Sequence, residues 1–171
     1  MRRPATIIMI TVALLATAAT SAGATTQRPA PTWKPYRSQP FLKHDVCSFD
    51  VRGVAVYDKE EVATLATFPD GSPEREEYRG PLYIRYTNVS TGKSIVRDQS
   101  GKAWLDVRPD KTRVWRVYNG RISVGVKQGT NGFPAGEWLF HGDFRLTFKP
   151  TGAVEFDLIH TTAVNLCRSL T

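Results

Sequence analysis

The sequence predicts an all-β domain, built as an antiparallel meander of about eight to ten short strands. Three observations lead to this prediction: apolar and polar residues alternate along much of the chain, turn-forming residues recur at short intervals, and one cysteine stands near each end of this region. Short connections favour antiparallel neighbours, and a meander of this length either curls into a barrel or folds into two packed sheets. We therefore expect a barrel or barrel-like sandwich, with one disulfide joining its ends.

The N-terminus has the three parts of an export signal. Residues 1–3 carry two arginines, residues 6–20 are apolar, and residues 22–24 form an Ala-x-Ala cleavage pattern. The apolar stretch is shorter than the roughly 20 residues of a membrane-spanning helix, and no second apolar run follows. We expect a signal peptide over residues 1–24, a secreted and extracellular protein, and no transmembrane segment after cleavage. An uncleaved anchor is the alternative.

Residues 25–42 are predicted to form a proline-rich flexible leader, because proline fixes φ and removes a hydrogen-bond donor. Trp33 and Tyr36 are unusual in such a segment. They either lie loosely on the domain surface or form an adhesive arm for a wall polymer or a partner. Residues 43–171 are predicted to form a single all-β domain, a length that suits one hydrophobic core.

Cys47 and Cys167 are the two cysteines of the chain. An even number of cysteines in an exported protein indicates a disulfide. This bond would close nearly the whole domain, for which the chain-entropy model gives about 4–5 kcal/mol of stability. It would also hold the first and last strands side by side, which favours a closed sheet. No C-x-x-C motif is present, so no redox role is expected.

Alternation predicts which side chains of each strand point inward. The inward sets are Leu82, Ile84 and Tyr86; Trp138 and Phe140; Phe144, Leu146 and Phe148; and Val154, Phe156 and Leu158. The same parity directs His160 inward. Asn119-Gly120 is the preferred pair for a two-residue type I′ hairpin, and residues 141–143 fall where a strand must bend or turn.

The leading functional prediction is a non-enzymatic module whose interior or mouth accepts a small apolar or amphipathic ligand. An inward histidine would help to orient such a ligand, although a strand-end histidine bonded to a nearby backbone group is the simpler interpretation. A cavity is expected beside Trp138, Phe140 and His160. The candidate ligand-binding residues are Trp115, Trp138, Phe140 and His160.

Charge is distributed unevenly along the chain. Residues 79–127 contain eleven Lys or Arg and three Asp, whereas residues 44–78 contain nine acids and three Lys or Arg. Either the acidic and basic strands lie together and pair weakly, or the basic strands form a face for an anionic cell-envelope polymer, anionic lipid or nucleic acid. No specific nucleic-acid motif is present. The candidate polyanion-binding residues are Arg97, Lys102, Arg113, Arg116 and Arg121.

The histidines lack the spacing of a metal site, so neither a metal nor a cofactor is predicted. An enzyme that uses His141 or His160 with Asp143 is a third hypothesis, and the sequence offers it no nucleophile–base pair. The sequence therefore favours binding over catalysis.

Several stretches match a recognisable pattern: the signal peptide, CSFDV at 47–51, IRYTNVSTGK at 84–93, FKPTGAVEFDL at 148–158, and the late cysteine at 167. With these features the chain resembles a group of small secreted proteins of high-GC Gram-positive bacteria, of the actinobacterial type. The resemblance covers roughly residues 47–167. It implies a disulfide-closed β domain and an extracellular location, and it implies no activity and no catalytic residue.

Overall fold

The computed structural model describes residues 30–127, 130 and 132–171 of the chain. The strands in this part are β1 (Lys34–Pro35), β2 (Phe41–Lys43), β3 (Val51–Asp58), β4 (Glu61–Thr67), β5 (Pro73–Gly80), β6 (Leu82–Asn88), β7 (Ser94–Asp98), β8 (Gly101–Val107), β9 (Arg113–Val126), β10 (Gly136–Phe148) and β11 (Val154–Asn165), and one short helix follows, α1 (Cys167–Leu170). The all-β class is confirmed. The predicted signal peptide and the first five residues of the predicted leader lie outside the described residues.

The strands form two antiparallel sheets. The larger sheet has the order β1-β4-β5-β8-β9-β10-β11, and the smaller sheet has the order β2-β3-β6-β7. Within the described residues β1 and β11 remain the edges of the larger sheet, so this strand pairing closes no barrel.

The described part of the leader is integrated into both sheets, although the sequence predicted it to be flexible. β1 pairs with the start of β4, and β2 pairs with β3. The guanidinium group of Arg79 lies 3.5 Å from the ring centroid of Trp33, which holds that side chain on the larger sheet. These two short strands raise the number of strands to eleven.

The core consists of two apolar clusters on opposite sides of β10. One cluster joins the smaller sheet to the C-terminal end of the chain, and it includes Tyr86, Leu166 and Leu170. The other lies on the larger sheet around Phe140 and Phe144. Since successive side chains of a strand point to opposite faces, Leu139 packs on the first cluster while its neighbour Phe140 packs on the second.

The hairpin prediction at Asn119-Gly120 is wrong, because β9 continues through both residues. Gly120 pairs with Gly142 of β10 and Val117 pairs with Phe144, so two residues of β9 lie opposite one residue of β10 in a β-bulge. Asn119 has a φ of 44°, and its backbone N–H donates a hydrogen bond of 2.7 Å to the Asp143 carboxylate. The Asn-Gly signal therefore marks a bulge within a long strand.

The bend predicted at residues 141–143 is present as an irregularity of β10, and the strand makes no turn there. Gly142 has a φ of 127°, and a Cβ atom on it would lie 1.9 Å from the carbonyl oxygen of His160. Only glycine fits this close approach of β11.

The prediction that His160 points inward is wrong, because its side chain is exposed. Asp143 pairs with His160 while Phe144 pairs with Leu158, which leaves Ile159 as an extra residue in β11. One inserted residue moves every later side chain to the opposite face. Beyond the bulge it is therefore Ala163 that packs against the core cluster.

The disulfide between Cys47 and Cys167 is confirmed, with Cα atoms 5.7 Å apart. Cys47 lies between β2 and β3 of the smaller sheet, and Cys167 begins α1 directly after β11 of the larger sheet. The bond therefore links the two sheets. It does not hold the first and last strands side by side, as the sequence suggested, since β1 and β11 lie at opposite edges of the larger sheet.

Candidate functional site

A pocket of about 180 Å³ lies against the larger sheet, where the leader and the start of the smaller sheet's β6 approach it. Its lining combines aromatic rings, small or aliphatic side chains and a few polar groups. A dry cavity of about 150 Å³ accepts benzene, so this space is sufficient for one ring-sized group. The lining includes Tyr36, Glu60, Tyr78, Gln99, Ala103 and Trp115.

The leader forms one wall of this pocket. The Tyr36 backbone N–H donates to the carbonyl oxygen of Glu60 at 2.9 Å, continuing the pairing of β1 with β4. The Ser38 backbone N–H donates to Asp58 Oδ2 at 2.8 Å, and the Ser38 hydroxyl donates to Glu60 Oε2 at 2.7 Å. These bonds place Tyr36 between the pocket and solvent, where it is 37% exposed.

Tyr78 is the central ring of the pocket. Its centroid lies 5.2 Å from that of Tyr36 in a perpendicular arrangement, and 5.0 Å from that of Trp115 at an interplanar angle of 49°. These edge and tilted contacts are the geometries that aromatic pairs prefer. The Tyr78 hydroxyl donates to Glu76 Oε2 at 2.9 Å, which fixes the orientation of the ring.

Glu60 is a half-buried carboxylate that no cation in the structure neutralises. Among the described residues, no nitrogen of Lys, Arg or His lies within the 4.0 Å of an ion pair from its oxygens. Burial raises the pKa of Glu60 above its ordinary value of 4.5; the hydrogen bond from Ser38 lowers the pKa in part, and the nearby Asp58 charge raises it further.

The pKa values of Tyr36 and Tyr78 are both affected by burial and by nearby carboxylates. The pKa of Tyr36 is raised by burial, and then by the charges of Glu60, Asp58 and Glu76. The pKa of Tyr78 is raised by burial and by its bond to Glu76. Three carboxylates, those of Glu60, Asp58 and Glu76, therefore lie close enough to raise the pKa of a pocket tyrosine.

Two cationic residues also line the pocket, and each has its own carboxylate. The Lys102 ammonium lies 2.7 Å from Glu77 and 4.5 Å from the centroid of Trp104. The Arg121 guanidinium lies 3.0 Å from Asp98. Their charges are therefore compensated locally, and among the described residues neither is within ion-pair distance of Glu60.

Gln99 closes the back of the pocket between the two sheets. Its side-chain oxygen accepts the backbone N–H of Ser123 at 3.1 Å, and its amide nitrogen donates to the hydroxyl groups of Tyr86 and Ser123. This buried amide is held by both sheets, so it provides a rigid polar wall.

The predicted ligand-binding residues are only partly brought together. Trp115 lines the pocket. Phe140 is fully buried in the core, Trp138 packs on Phe133 at 4.9 Å, and His160 is exposed on β11, so these three do not line it. Three of the four predicted ligand-binding residues therefore lie outside this pocket.

Sequence reasoning missed Tyr36, Glu60 and Tyr78. The only signal was the presence of two aromatic residues in a proline-rich leader. Glu60 stands in a short run of charged residues at a strand connection, and such a run usually indicates a solvated turn.

The predicted polyanion-binding residues do not form one cluster. Lys102, Arg116 and Arg121 each pair with a carboxylate, at 2.7, 2.5 and 3.0 Å respectively. Arg97 belongs to β7 of the smaller sheet, whereas Arg113 begins β9 of the larger sheet. This arrangement agrees with the interpretation that acidic and basic strands lie together and pair.

Of the residues in the enzyme hypothesis, Asp143 of β10 lies opposite His160 of β11. Its carboxylate is already engaged, because Oδ1 accepts the backbone N–H of Asn119, and its backbone carbonyl accepts the Thr161 hydroxyl at 2.7 Å. In the described ranges there is no group of three or more His, Cys, Asp or Glu side chains that could hold a metal ion.

Comparison of the chain with protein-family models, curated proteins and solved structures gave no match. In the part of the chain that the structure describes, no helix is long and apolar enough to cross a membrane. The geometry of the pocket is therefore the basis for a functional proposal.

Proposed function

We propose that this chain is a secreted, non-enzymatic binding domain that takes up one ring-sized amphipathic molecule in the pocket beside Tyr36, Tyr78 and Trp115. The observation that supports this most strongly is the lining itself: three aromatic rings stand beside a half-buried carboxylate in a space of about 180 Å³. Small-molecule sites are mostly apolar, with a few polar groups that fix orientation.

The N-terminal signal pattern and the disulfide support the secreted location in this proposal. The two sheets act as the halves of a barrel-like sandwich, and the pocket lies where the leader crosses from one to the other. The leader supplies one wall of the pocket through Tyr36 and Ser38, so the ligand would contact both the leader and the larger sheet.

The proposal is tested with two ring-sized probes, benzyl alcohol and benzylamine, titrated into the exported mature protein and followed by NMR. We expect at least one probe to shift the indole N–H signal of Trp115. The variant Ala103→Leu places a larger side chain in the pocket and should abolish the shift. The control Ala153→Leu alters an exposed turn residue and should retain it.

If neither probe moves the Trp115 signal in the wild-type protein, the pocket is not a site for molecules of this size and the proposal fails. Binding that survives in a folded Ala103→Leu variant would place the probe elsewhere and also reject it.

Polyanion binding through the basic strands has less support as a second function. Three of its five candidate cations already pair with carboxylates, and the other two lie on different sheets. Paired surface charges contribute little to recognition of a distant anion.

A further inference from the structure

Resting on the proposed function, we infer that the ligand of the pocket is a protonated amine carried on a small ring or short apolar group. The Glu60 carboxylate would pair with the ammonium, and the faces of Tyr36, Tyr78 and Trp115 would contact the cation and its substituent. A purely apolar molecule would lack the positive charge that pairs with Glu60, and an anionic molecule would be repelled by it.

Glu60 lacks a counter-charge among the described residues. Charged side chains removed from water are normally paired, since desolvation without a partner is costly. Glu60 receives a hydrogen bond from the Ser38 hydroxyl and has no cation within ion-pair distance among the described residues. An ammonium group from a ligand would complete this site.

The three rings of the pocket are not coplanar. The centroid of Tyr78 lies 5.2 Å from that of Tyr36 at an interplanar angle of 90° and 5.0 Å from that of Trp115 at 49°, and all three residues line the pocket. A cation near their faces is attracted by the ring quadrupoles, by about 0.5–2 kcal/mol depending on desolvation. Aromatic rings beside a carboxylate therefore favour an organic cation.

The charged groups on the elements around the pocket also bear on Glu60. Arg37 of the leader is directed to Asp58: its guanidinium lies 3.9 Å from Asp58 Oδ1 and donates to the backbone carbonyl oxygens of Tyr36 and Asp58. Asp58 ends β3, Glu76 lies on β5, and both act on the tyrosines of the pocket. The cations Lys102 of β8 and Arg121 of β9 are held by Glu77 and Asp98. Tyr36 and Tyr78 are neutral near neutral pH, since even the ordinary tyrosine pKa of 10.0 lies well above it and their surroundings raise the pKa further.

A dependence on pH follows from this arrangement. An ammonium group binds the ionised form of Glu60, whereas burial favours its protonated form. Amine affinity should therefore increase as the pH rises through the raised pKa of Glu60, while the affinity for a neutral ring should not change with Glu60 ionisation.

The test compares benzylamine with benzyl alcohol, which have similar size and differ in charge, by titration calorimetry at about pH 5 and about pH 7.5. At the higher pH we expect benzylamine to bind about tenfold more tightly than benzyl alcohol. Glu60→Gln should remove the preference and its pH dependence. Glu74→Gln, a change at an exposed glutamate of β5, should preserve both.

The outcomes separate the two proposals. If benzyl alcohol binds at least as well as benzylamine to the wild-type protein at about pH 7.5, the pocket is a ligand site and the amine inference is overturned. If Glu60→Gln keeps the preference, the carboxylate is not its source and the inference also fails. If neither probe binds, the proposed function fails, and the amine inference falls with it. The wild-type comparison remains decisive even if a variant does not fold.

Discussion

Glu60 and Glu137 are two carboxylates inside the same domain with opposite surroundings. Glu137 is fully buried, and its two oxygens accept from the Lys43 ammonium at 2.7 and 2.9 Å. Glu60 is half-buried and accepts only the Ser38 hydroxyl among neighbouring side chains of the described chain. Lys43 neutralises the charge of Glu137, whereas no cation of the described residues pairs with Glu60.

The locations of the two groups explain the difference. The Glu137 backbone N–H donates to the Cys167 sulfur at 3.2 Å, and its carbonyl oxygen accepts the Leu166 N–H at 2.7 Å. This glutamate is therefore part of the structure that joins the two sheets. Glu60 lines an accessible pocket, where a cation from solution can provide the missing charge. The internal ion pair gives Glu137 a structural role, whereas the surroundings of Glu60 are the basis of the proposed binding site.

The largest effect is expected from removing the internal partner of Glu137. Lys43→Met leaves an uncompensated buried carboxylate and should reduce the free energy of unfolding by about 3–5 kcal/mol. Urea denaturation of the wild type and the variant measures this loss. Pocket binding of benzylamine should persist while the variant is folded, because Lys43 does not line that pocket.

The double variant Lys43→Met/Glu137→Met is the control for this prediction. Replacing a whole buried ion pair with apolar side chains of similar volume is often neutral, so most of the lost stability should return. If Lys43→Met lowers the free energy of unfolding by less than about 1 kcal/mol, the ion pair with Lys43 is not what makes Glu137 different from Glu60.

A smaller effect with a defined sign is expected for Glu60→Gln. Folding raises the pKa of Glu60 above 4.5, so over a pH range above that value the folded state holds a proton that the unfolded state has lost. The contribution of this group to stability is therefore present below pH 4.5 and is lost as the pH rises through the raised pKa. Glutamine does not titrate, so the variant lacks this loss.

The measurement is the difference in unfolding free energy between the wild type and Glu60→Gln, from about pH 4 to about pH 7.5. The contributions of the other titrating groups are the same in both proteins, so they cancel in this difference. We expect the unfolding free energy of the variant to increase relative to that of the wild type by about 1 kcal/mol or less as the pH rises across this range, because the site is half exposed. A relative loss of stability in the variant as the pH rises would mean that Glu60 has a hidden cationic partner.

The smallest effect is expected for Ser38→Ala. The hydroxyl group is the side-chain donor to Glu60, and its removal should raise the pKa of the carboxyl further and cost about 0.5–1 kcal/mol of stability. Benzylamine should bind about two- to threefold more weakly near neutral pH, whereas benzyl alcohol should bind unchanged. Equal weakening of both probes in calorimetry would show instead that the leader wall had moved.

Features that depend on neighbouring residues could be predicted from the sequence. The alternation of Leu82, Ile84 and Tyr86 indicated a strand with one buried face, and all three are buried in the structure. The two cysteines indicated the disulfide that forms. These predictions needed only local periodicity and residue chemistry.

The failures share one physical cause, which is long-range pairing. At Asn119 the local signal favoured a turn, but the Asp143 carboxylate of the next strand accepts the backbone N–H and keeps the strand continuous. At His160 the alternation along β11 predicted an inward side chain, but one bulge residue before it moves the side chain to the opposite face. A bulge depends on the partner strand, and alternation within one strand does not reveal it.

By itself, then, the sequence determined the all-β class, the antiparallel character and the disulfide of this protein, because each depends on periodicity or on a residue type. The tertiary structure alone decided where the candidate site lies. Tyr36, Glu60, Tyr78 and Trp115 come from four separate segments, and they meet because β1 pairs with β4 in a sheet that also contains β5, β8 and β9. Whether a carboxylate finds a cation depends on that assembly, since the partners are distant in the chain and only the fold brings them within reach.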